Sequence, residues 1–308
     1  MKKPLKNNVY IIEGLRTAIG SPFKSLKEFT VPEMAGSVLR ALVRKTKVKK
    51  NAVDEVFFGN VVGAGLGQNL ARQVAIAGGL PATVPALTVN NVCGAGLQTV
   101  ILAARSLVTD NAKLIICGGA ESATHNPYYI EGDMEQSFNP RDVKDSLIHD
   151  GLICAITKKH MGELAEAMAK RHNISRAEQD LFALQSHLKA VRAQENKIFE
   201  DEIVPLKLGA KNFFCEDERP RRKISIENFK TLRPAFVRGG TVTAGNASAP
   251  ADGAAACLLA SKAGVKDYAL KPRARILAEA TIAVDPLKAF EACVQAIRVV
   301  IKKGGLTG

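Results

Sequence analysis

Through its first 120 residues the chain alternates short apolar, β-branched segments with stretches of helical periodicity, and this rhythm restricts the possible folds most. Val9-Tyr10-Ile11-Ile12 reads as a strand. Residues 31–45 read as a helix opened by Thr30-Val31-Pro32, with proline near the first turn. Val56-Phe57-Phe58 and Leu87-Thr88-Val89 are two more short strands. Leu97, Ile101, Ala104 and Val108 follow at helical spacing, which puts them on one face. Lys113-Leu114-Ile115-Ile116-Cys117 is then an apolar run closed by Gly118-Gly119. Such strand-helix-strand alternation specifies an α/β layered architecture around a largely parallel sheet.

The texture changes between residues 120 and 240. Turn clusters such as His125-Asn126-Pro127 and Phe138-Asn139-Pro140 alternate with two good helices. One runs from about Met161 to His172. The other starts at Ser175, with Glu178 completing a capping box, and is expected to present Leu181, Leu184, Leu188 and Val191 inward. Sheet texture returns after Thr241-Val242-Thr243, with Ala254-Ala255-Ala256-Cys257-Leu258-Leu259. A strand at Ala274-Arg275-Ile276-Leu277 and a helix from Pro286 to about Lys303 follow. The organisation expected is one α/β domain over 1–120 and 241–268, a helical insertion over 121–240, and a second sheet begun but unfinished over 269–308.

Composition narrows the function. The 308 residues are 46% hydrophobic and 24% charged, a globular profile that excludes a disordered or collagen-like chain. No apolar run is expected to approach the roughly 18 residues of a membrane span. Met1-Lys2-Lys3-Pro4 is not followed by the apolar stretch of a secretory signal, so a cytoplasmic location and no membrane partner are expected. The cysteines at 93, 117, 154, 215, 257 and 293 include no C-x-x-C pair, which argues against a disulfide framework or a zinc site. With no Trp and 5% aromatics, a base-stacking nucleic-acid surface is not expected either. The net charge of +13 fits a polyanionic small molecule, and equally plain solubility.

Cys93 is the strongest candidate for chemistry. It follows a strand and opens a helix in Asn90-Asn91-Val92-Cys93-Gly94-Ala95-Gly96-Leu97, where unpaired N–H groups and the helix dipole favour a thiolate. The bland alternative is a buried cysteine acting as a small hydrophobe. Arg219, Arg221, Arg222 and Lys223 are the densest basic cluster, suited to phosphates or simply solvated. His125 and His149 are conceivable bases for Cys93, but no spacing supports either.

Asn91-Val92-Cys93-Gly94-Ala95-Gly96-Leu97-Gln98 resembles the nucleophilic-cysteine signature of thiolases. So do Gly118-Gly119-Ala120-Glu121-Ser122, Lys159-His160-Met161-Gly162, Leu232-Arg233-Pro234-Ala235-Phe236, the run Gly240 to Ser248, and Asp252-Gly253-Ala254-Ala255-Ala256. The blocks stand in family order, and the resemblance covers the chain from Val9 onward. It implies two similar α/β halves with a helical loop domain inserted in the first, and acyl transfer between CoA thioesters. Cys93 would be the acyl-accepting nucleophile. Leu152, His160, Met161, Arg221, Phe236, Ala244, Gly245 and Ser248 would contact CoA. No metal and no cofactor beyond the CoA substrates is implied, and a homo-oligomer, dimer or tetramer, is expected.

The His160-Met161-Gly162 block favours the biosynthetic type, which joins two acetyl-CoA into acetoacetyl-CoA and CoA. The alternatives are a degradative 3-ketoacyl-CoA thiolase and a non-catalytic acyl-CoA-binding subunit or fragment. Some family features are missing or changed. Ala95 stands where Ser is common, and Ala123 where Met is common. The Asn-Glu-Ala-Phe, Gly-His-Pro and Cys-x-Gly-Gly-Gly blocks are not found in residues 260–308, and Cys293 is expected to be core. The chain therefore reads as truncated before the second-half His and Cys, with impaired activity and a separate C-terminal half as a conceivable partner. If nothing follows Gly308, Leu277, Ile282, Ala289, Val294, Ile297, Val300 and Ile301 are expected to lie partly exposed.

Overall fold

A computed structural model describes residues 8–109, 112–130, 132 and 140–306. Met1 to Pro4 and the Phe138-Asn139 cluster lie outside the described residues. In chain order the strands are β1 (Val9–Arg16), β2 (Glu55–Gly59), β3 (Ala86–Val89), β4 (Leu114–Ser122), β5 (Tyr128–Ile130), β6 (Val143–Asp145), β7 (Leu206–Lys207), β8 (Phe213–Phe214), β9 (Asp252–Ser261) and β10 (Ala274–Ile276). The helices are α1 (Val31–Thr46), α2 (Leu70–Ala77), α3 (Ala95–Thr109), α4 (Met161–Arg171), α5 (Arg176–Glu195), α6 (Ile226–Lys230), α7 (Lys262–Asp267) and α8 (Ala289–Gly304).

Local chemistry starts the helices where expected. Thr30 caps α1 in a reciprocal box, its own N–H donating to Glu33 Oε2 at 2.8 Å, with Pro32 in the first turn. Ser175 and Glu178 repeat the device at α5. The central sheet has six strands in the order β10-β1-β9-β4-β2-β3. β2 is parallel to β3 and β4, whereas β9 lies antiparallel between β1 and β4, and β10 is antiparallel to β1. The sheet is therefore mixed rather than largely parallel. β9 follows the insertion, not a strand-helix-strand crossover, so the rule that keeps crossover strands parallel does not bind it.

α1 and α2 seal one face of the sheet, where Met34, Val38, Leu39 and Leu42 are fully buried in the main core. α3 lies on the other face over a smaller cluster containing Ala103, Ala104, Leu107, Ile115, Cys117 and Leu259. The Thr99 hydroxyl donates to the carbonyls of Gly96 (2.7 Å) and Gly118 (3.0 Å), tying α3 to β4. Leu97, grouped by spacing on one face with Ile101, Ala104 and Val108, is 69% exposed while Ala104 is buried. Val92–Thr109 has the length and mean hydropathy, 1.4 over 18 residues, of a membrane span, a property the sequence reading missed. In the fold that stretch is α3 and the turn leading into it.

The insertion between β4 and β9 carries β5 to β8 and α4 to α6. It is pinned to β1 by Arg16, which pairs with Glu202 and Asp217, each at 2.7 Å. Of the stripe expected inward on α5, only Val191 is buried. Leu181 and Leu188 are exposed, Leu184 is half-buried, and Asp180 and Val191 are buried. The reason is polar. Asp180 accepts from Arg176 Nε (2.7 Å) and Asn246 Nδ2 (2.8 Å), and this network turns the helix.

At the far end, residues 274–276 do not open a second sheet. β10 pairs with β1, Val9 opposite Ile276, and extends the first sheet by one edge strand. α8 leans on α4 through an Arg171–Glu291 pair at 2.9 Å and buries none of its residues. Cys293 is exposed, not core, because α8 has no layer over that face among the described residues. Leu277, Val294 and Ile297 are exposed, and Ile282, Ala289, Val300 and Ile301 half-buried, as expected from their pattern.

Candidate active site

Cys93 sits in the turn from β3 to α3. Val92 N–H donates to Asn90 Oδ1 (2.9 Å), Gly94 N–H to the Asn91 carbonyl (3.1 Å) and Ala95 N–H to the Val92 carbonyl (2.9 Å). Val92 has a φ of 48°, a left-handed conformation that is costly for a β-branched residue and persists only where its surroundings impose it. Close packing of α3 on the sheet brings the turn to the strand ends. A Cβ on Gly59 would strike the Ala95–Gly96 backbone, and one on Gly119 would come within 3.2 Å of Gly96 Cα.

Cys93 is exposed and lines a cavity of about 570 Å³, together with Gly59, Gly96, Gly118, Gly119, Glu121 and the start of β9. Two other thiols share this cavity. Cys117 and Cys257 face each other across β4 and β9. Burial pushes the Cys117 thiol well above its ordinary range; burial, then the Glu13 charge, push Cys257 up. Both are therefore held as thiols, and Cys93 is the exposed sulfur of the three.

A second cavity, about 580 Å³, shares Ile19 and Ala251 with the first. Arg219, Arg221, Lys223, His187, Ala244, Gly245 and Ser248 line it. A Cβ on Gly245 would meet Leu232 Cδ1 at 2.5 Å and Phe229 Cδ1 at 2.9 Å, so a larger residue there would have to displace both side chains. Of the basic cluster, Arg222 is engaged by Glu195 and Glu216. Arg221 N–H donates to His187 Nδ1 at 3.2 Å. Burial, followed by the Arg221 and Arg219 charges, lowers the His187 imidazole below its ordinary range, so it is neutral at pH 7. The arrangement is an apolar, thiol-bearing chamber beside a basic one.

The remaining expected contacts gather at the start of α4. His160 is its N-cap, Nδ1 accepting from Gly162 N–H at 3.0 Å, and its ring stacks on Phe236 at 4.8 Å between centroids. A Cβ on Gly162 would enter the Phe236 ring, which accounts for the small residue after Met161. Leu152 ends the turn whose next residue, Ile153, bridges to His160. Glu166 on α4 accepts from the N–H groups of Thr241 and Val242, each at 2.7 Å, and Ala235 N–H donates to the Val242 carbonyl at 2.9 Å. These bonds join the Phe236 group to the Ala244–Ser248 loop. Leu152, His160, Met161 and Phe236 line neither cavity. His125 bonds Ser122, and His149 bonds Tyr129 and Asp150; neither lines the Cys93 cavity.

Sequence reasoning missed two features. Cys154, half-exposed, is hydrogen-bonded by the Thr157 hydroxyl and by the N–H groups of Thr157 and Ile156, which lower its thiol below the ordinary range. A threonine three residues on was the only signal. Glu121, quoted only as part of a glycine-rich block, has its carboxyl raised by burial while Oε2 accepts from Val61 N–H at 2.8 Å.

The fold and this cysteine turn define a class, and the comparisons agree. The model of the thiolase N-terminal domain matches residues 9–263, and the chain belongs to the thiolase family. An acetyl-CoA acetyltransferase of Allochromatium vinosum is 38% identical over 308 residues, 98% of this chain and 78% of the relative. Its counterpart in Pseudomonas aeruginosa is 41% identical, covering 97% of this chain and 77% of the relative. The crystal structure of human mitochondrial 3-ketoacyl-CoA thiolase in complex with CoA superposes with a TM-score of 0.94 at 34% identity, over 100% of this chain and 78% of that one.

Proposed function

We propose that the chain is a thiolase-type acyltransferase that moves an acetyl group between CoA thioesters through Cys93. The carrying observation is an exposed cysteine, held in a strained turn at the start of α3, on an apolar cavity adjoining a basic one. The Cys93 thiolate adds to the thioester carbonyl of acetyl-CoA. The C–S bond to CoA breaks, CoA leaves as its thiol after taking a proton, and S-acetyl-Cys93 remains. A second acetyl-CoA, once its methyl proton has passed to a base (the role the family resemblance gives to a second-half Cys, which residues 260–308 do not supply), would attack that carbonyl and expel the Cys93 thiolate, giving acetoacetyl-CoA. Thioester exchange needs a sulfur that both attacks and leaves well, and a thiolate is both.

The basic cavity would take the phosphates of CoA, with Arg221 and its neighbours supplying charge. Ala244, Gly245 and Ser248 would leave room for the pantetheine arm, and Leu152, His160, Met161 and Phe236 would cover it. We read the chain as cytoplasmic and oligomeric, with CoA thioesters as its substrates and no further cofactor. The test is cleavage of acetoacetyl-CoA by CoA, followed by loss of its enolate absorbance. Turnover that disappears in Cys93→Ala supports the reading. CoA binding with no acetyl transfer to the protein would instead mark a binding subunit.

A further inference from the structure

We propose that Glu121 is a positioning residue for Cys93, acting through Asn90 on the strained Val92 turn. The proposal rests on the reading of Cys93 as acyl acceptor and adds what holds that sulfur in place. A continuous chain of hydrogen bonds links the two. Val61 N–H donates to Glu121 Oε2 (2.8 Å), Asn90 Nδ2 donates to the Val61 carbonyl (2.9 Å), and Val92 N–H donates to Asn90 Oδ1 (2.9 Å). Val92 is bonded directly to Cys93, and its left-handed φ of 48° needs such a hold. Buried Asn60 braces the middle of the relay, its Nδ2 donating to the Ala120 carbonyl at 3.1 Å.

Glu121 is placed for this rather than for stability. It stands one residue before the end of β4, opposite Gly253 on β9, and lines the cavity that Cys93 lines. Its other oxygen, Oε1, is buried and lacks a hydrogen bond of normal geometry among the described residues, although Val62 N–H and the Asn60 side chain also act on the carboxylate. A buried carboxyl oxygen so poorly bonded is destabilising, and a sequence selected only for stability would replace it. Glu121 thus trades stability for the position of the loop at Val61. Among the described residues the other backbone bonds of the turn are local: Gly94 N–H to the Asn91 carbonyl, Ala95 N–H to the Val92 carbonyl and Gln98 N–H to the Gly94 carbonyl.

The experiment uses the whole chain and acetyl-CoA, and follows acetyl transfer to Cys93 by rapid quench and peptide mass mapping over a range of concentrations. Glu121→Ala and Asn90→Ala should each slow acetylation at saturation by about tenfold or more, as misplacement of a reacting group by about 1 Å does. The half-saturating concentration should stay unchanged, because the basic cavity is untouched. The double variant should be no slower than the slower single variant, as for members of one network. Glu121→Gln keeps an acceptor for Val61 and should recover most of the lost rate. Protection of buried Cys117 from alkylation serves as the folding reference; if Glu121→Ala fails it, Asn90→Ala and Glu121→Gln decide. Undiminished rates, multiplicative losses, or a Gln variant as slow as Ala would overturn the relay while Cys93 remained acetylated. A wild-type chain never acetylated at Cys93 would overturn the underlying reading, and the relay with it.

Discussion

The two faces of the central sheet are built differently. Under α1 and α2 the packing is closed: Met34, Val38, Leu39, Leu42 and Val74 are fully buried. Under α3 the buried stripe is made of smaller side chains and begins at Ala95. Thr99, Ala103, Ala104 and Leu107 are buried, but Leu97 stands exposed at the mouth of the cavity that holds Cys93. One face is spent on stability and the other is left open at a strained turn. The reactive sulfur lies on the face where the core is thinner, so damage to the two faces should register in different measurements.

The largest expected effect is on the closed face. Leu39→Ala should lower unfolding free energy by about 2–5 kcal/mol, while Leu97→Ala should stay within about 0.5 kcal/mol, both read by urea denaturation. Equal losses would erase the contrast. Gly59→Ala tests the seam between the faces. It forces a methyl group into the Ala95–Gly96 backbone and should cost about 1–3 kcal/mol while also slowing Cys93 acetylation. A stability loss with an unchanged rate would separate the helix seat from the nucleophile. Arg221→Ala should weaken CoA binding about fivefold, the yield of an exposed ion pair worth about 1 kcal/mol, and less so at high salt. Calorimetric titration at two salt concentrations reads it, and equal affinities would remove Arg221 from the site.

The smallest effect concerns His187. Its imidazole is lowered first by burial and then by Arg221 and Arg219, so the unfolded chain takes up that proton at a higher pH than the fold does. Stability from this residue is present above the ordinary imidazole value, about 6.5, and declines as pH falls below it. Arg221→Ala should raise the imidazole partway toward the ordinary value and soften the decline, visible in an NMR titration. A titration curve that does not move would mean burial acts alone.

What could be read in the sequence follows the range of the interaction. Capping boxes close within three residues, so Ser175–Glu178 is legible in the sequence; the Thr30–Glu33 box is equally local, but only Thr30-Val31-Pro32 marks the start of α1 in the sequence reading. Cys93 was legible because strand, cysteine and glycine-flanked helix start adjoin. The inward face of α5 was not. Its leucine spacing is as good as that of the stripe actually buried, and the choice is made by Asn246, 66 residues from Asp180. The pairing of β10 with β1 spans the whole chain and leaves no local mark. Glu121 escaped notice because its role depends on a bond to Val61, 60 residues away.

The central claim is that Cys93, among six free cysteines, accepts the acyl group. The most direct test is to incubate the intact chain with acetyl-CoA, quench in acid, and map the acetyl group over all six cysteine peptides. Cys154 is the informative rival, since its hydrogen bonds favour thiolate without placing it on either cavity. The account predicts acetyl on Cys93, blocked by prior alkylation of that residue, with Cys117 and Cys257 unmodified in their buried strands. Acetyl on Cys154 in preference to Cys93, or spread evenly over the exposed thiols, would contradict it.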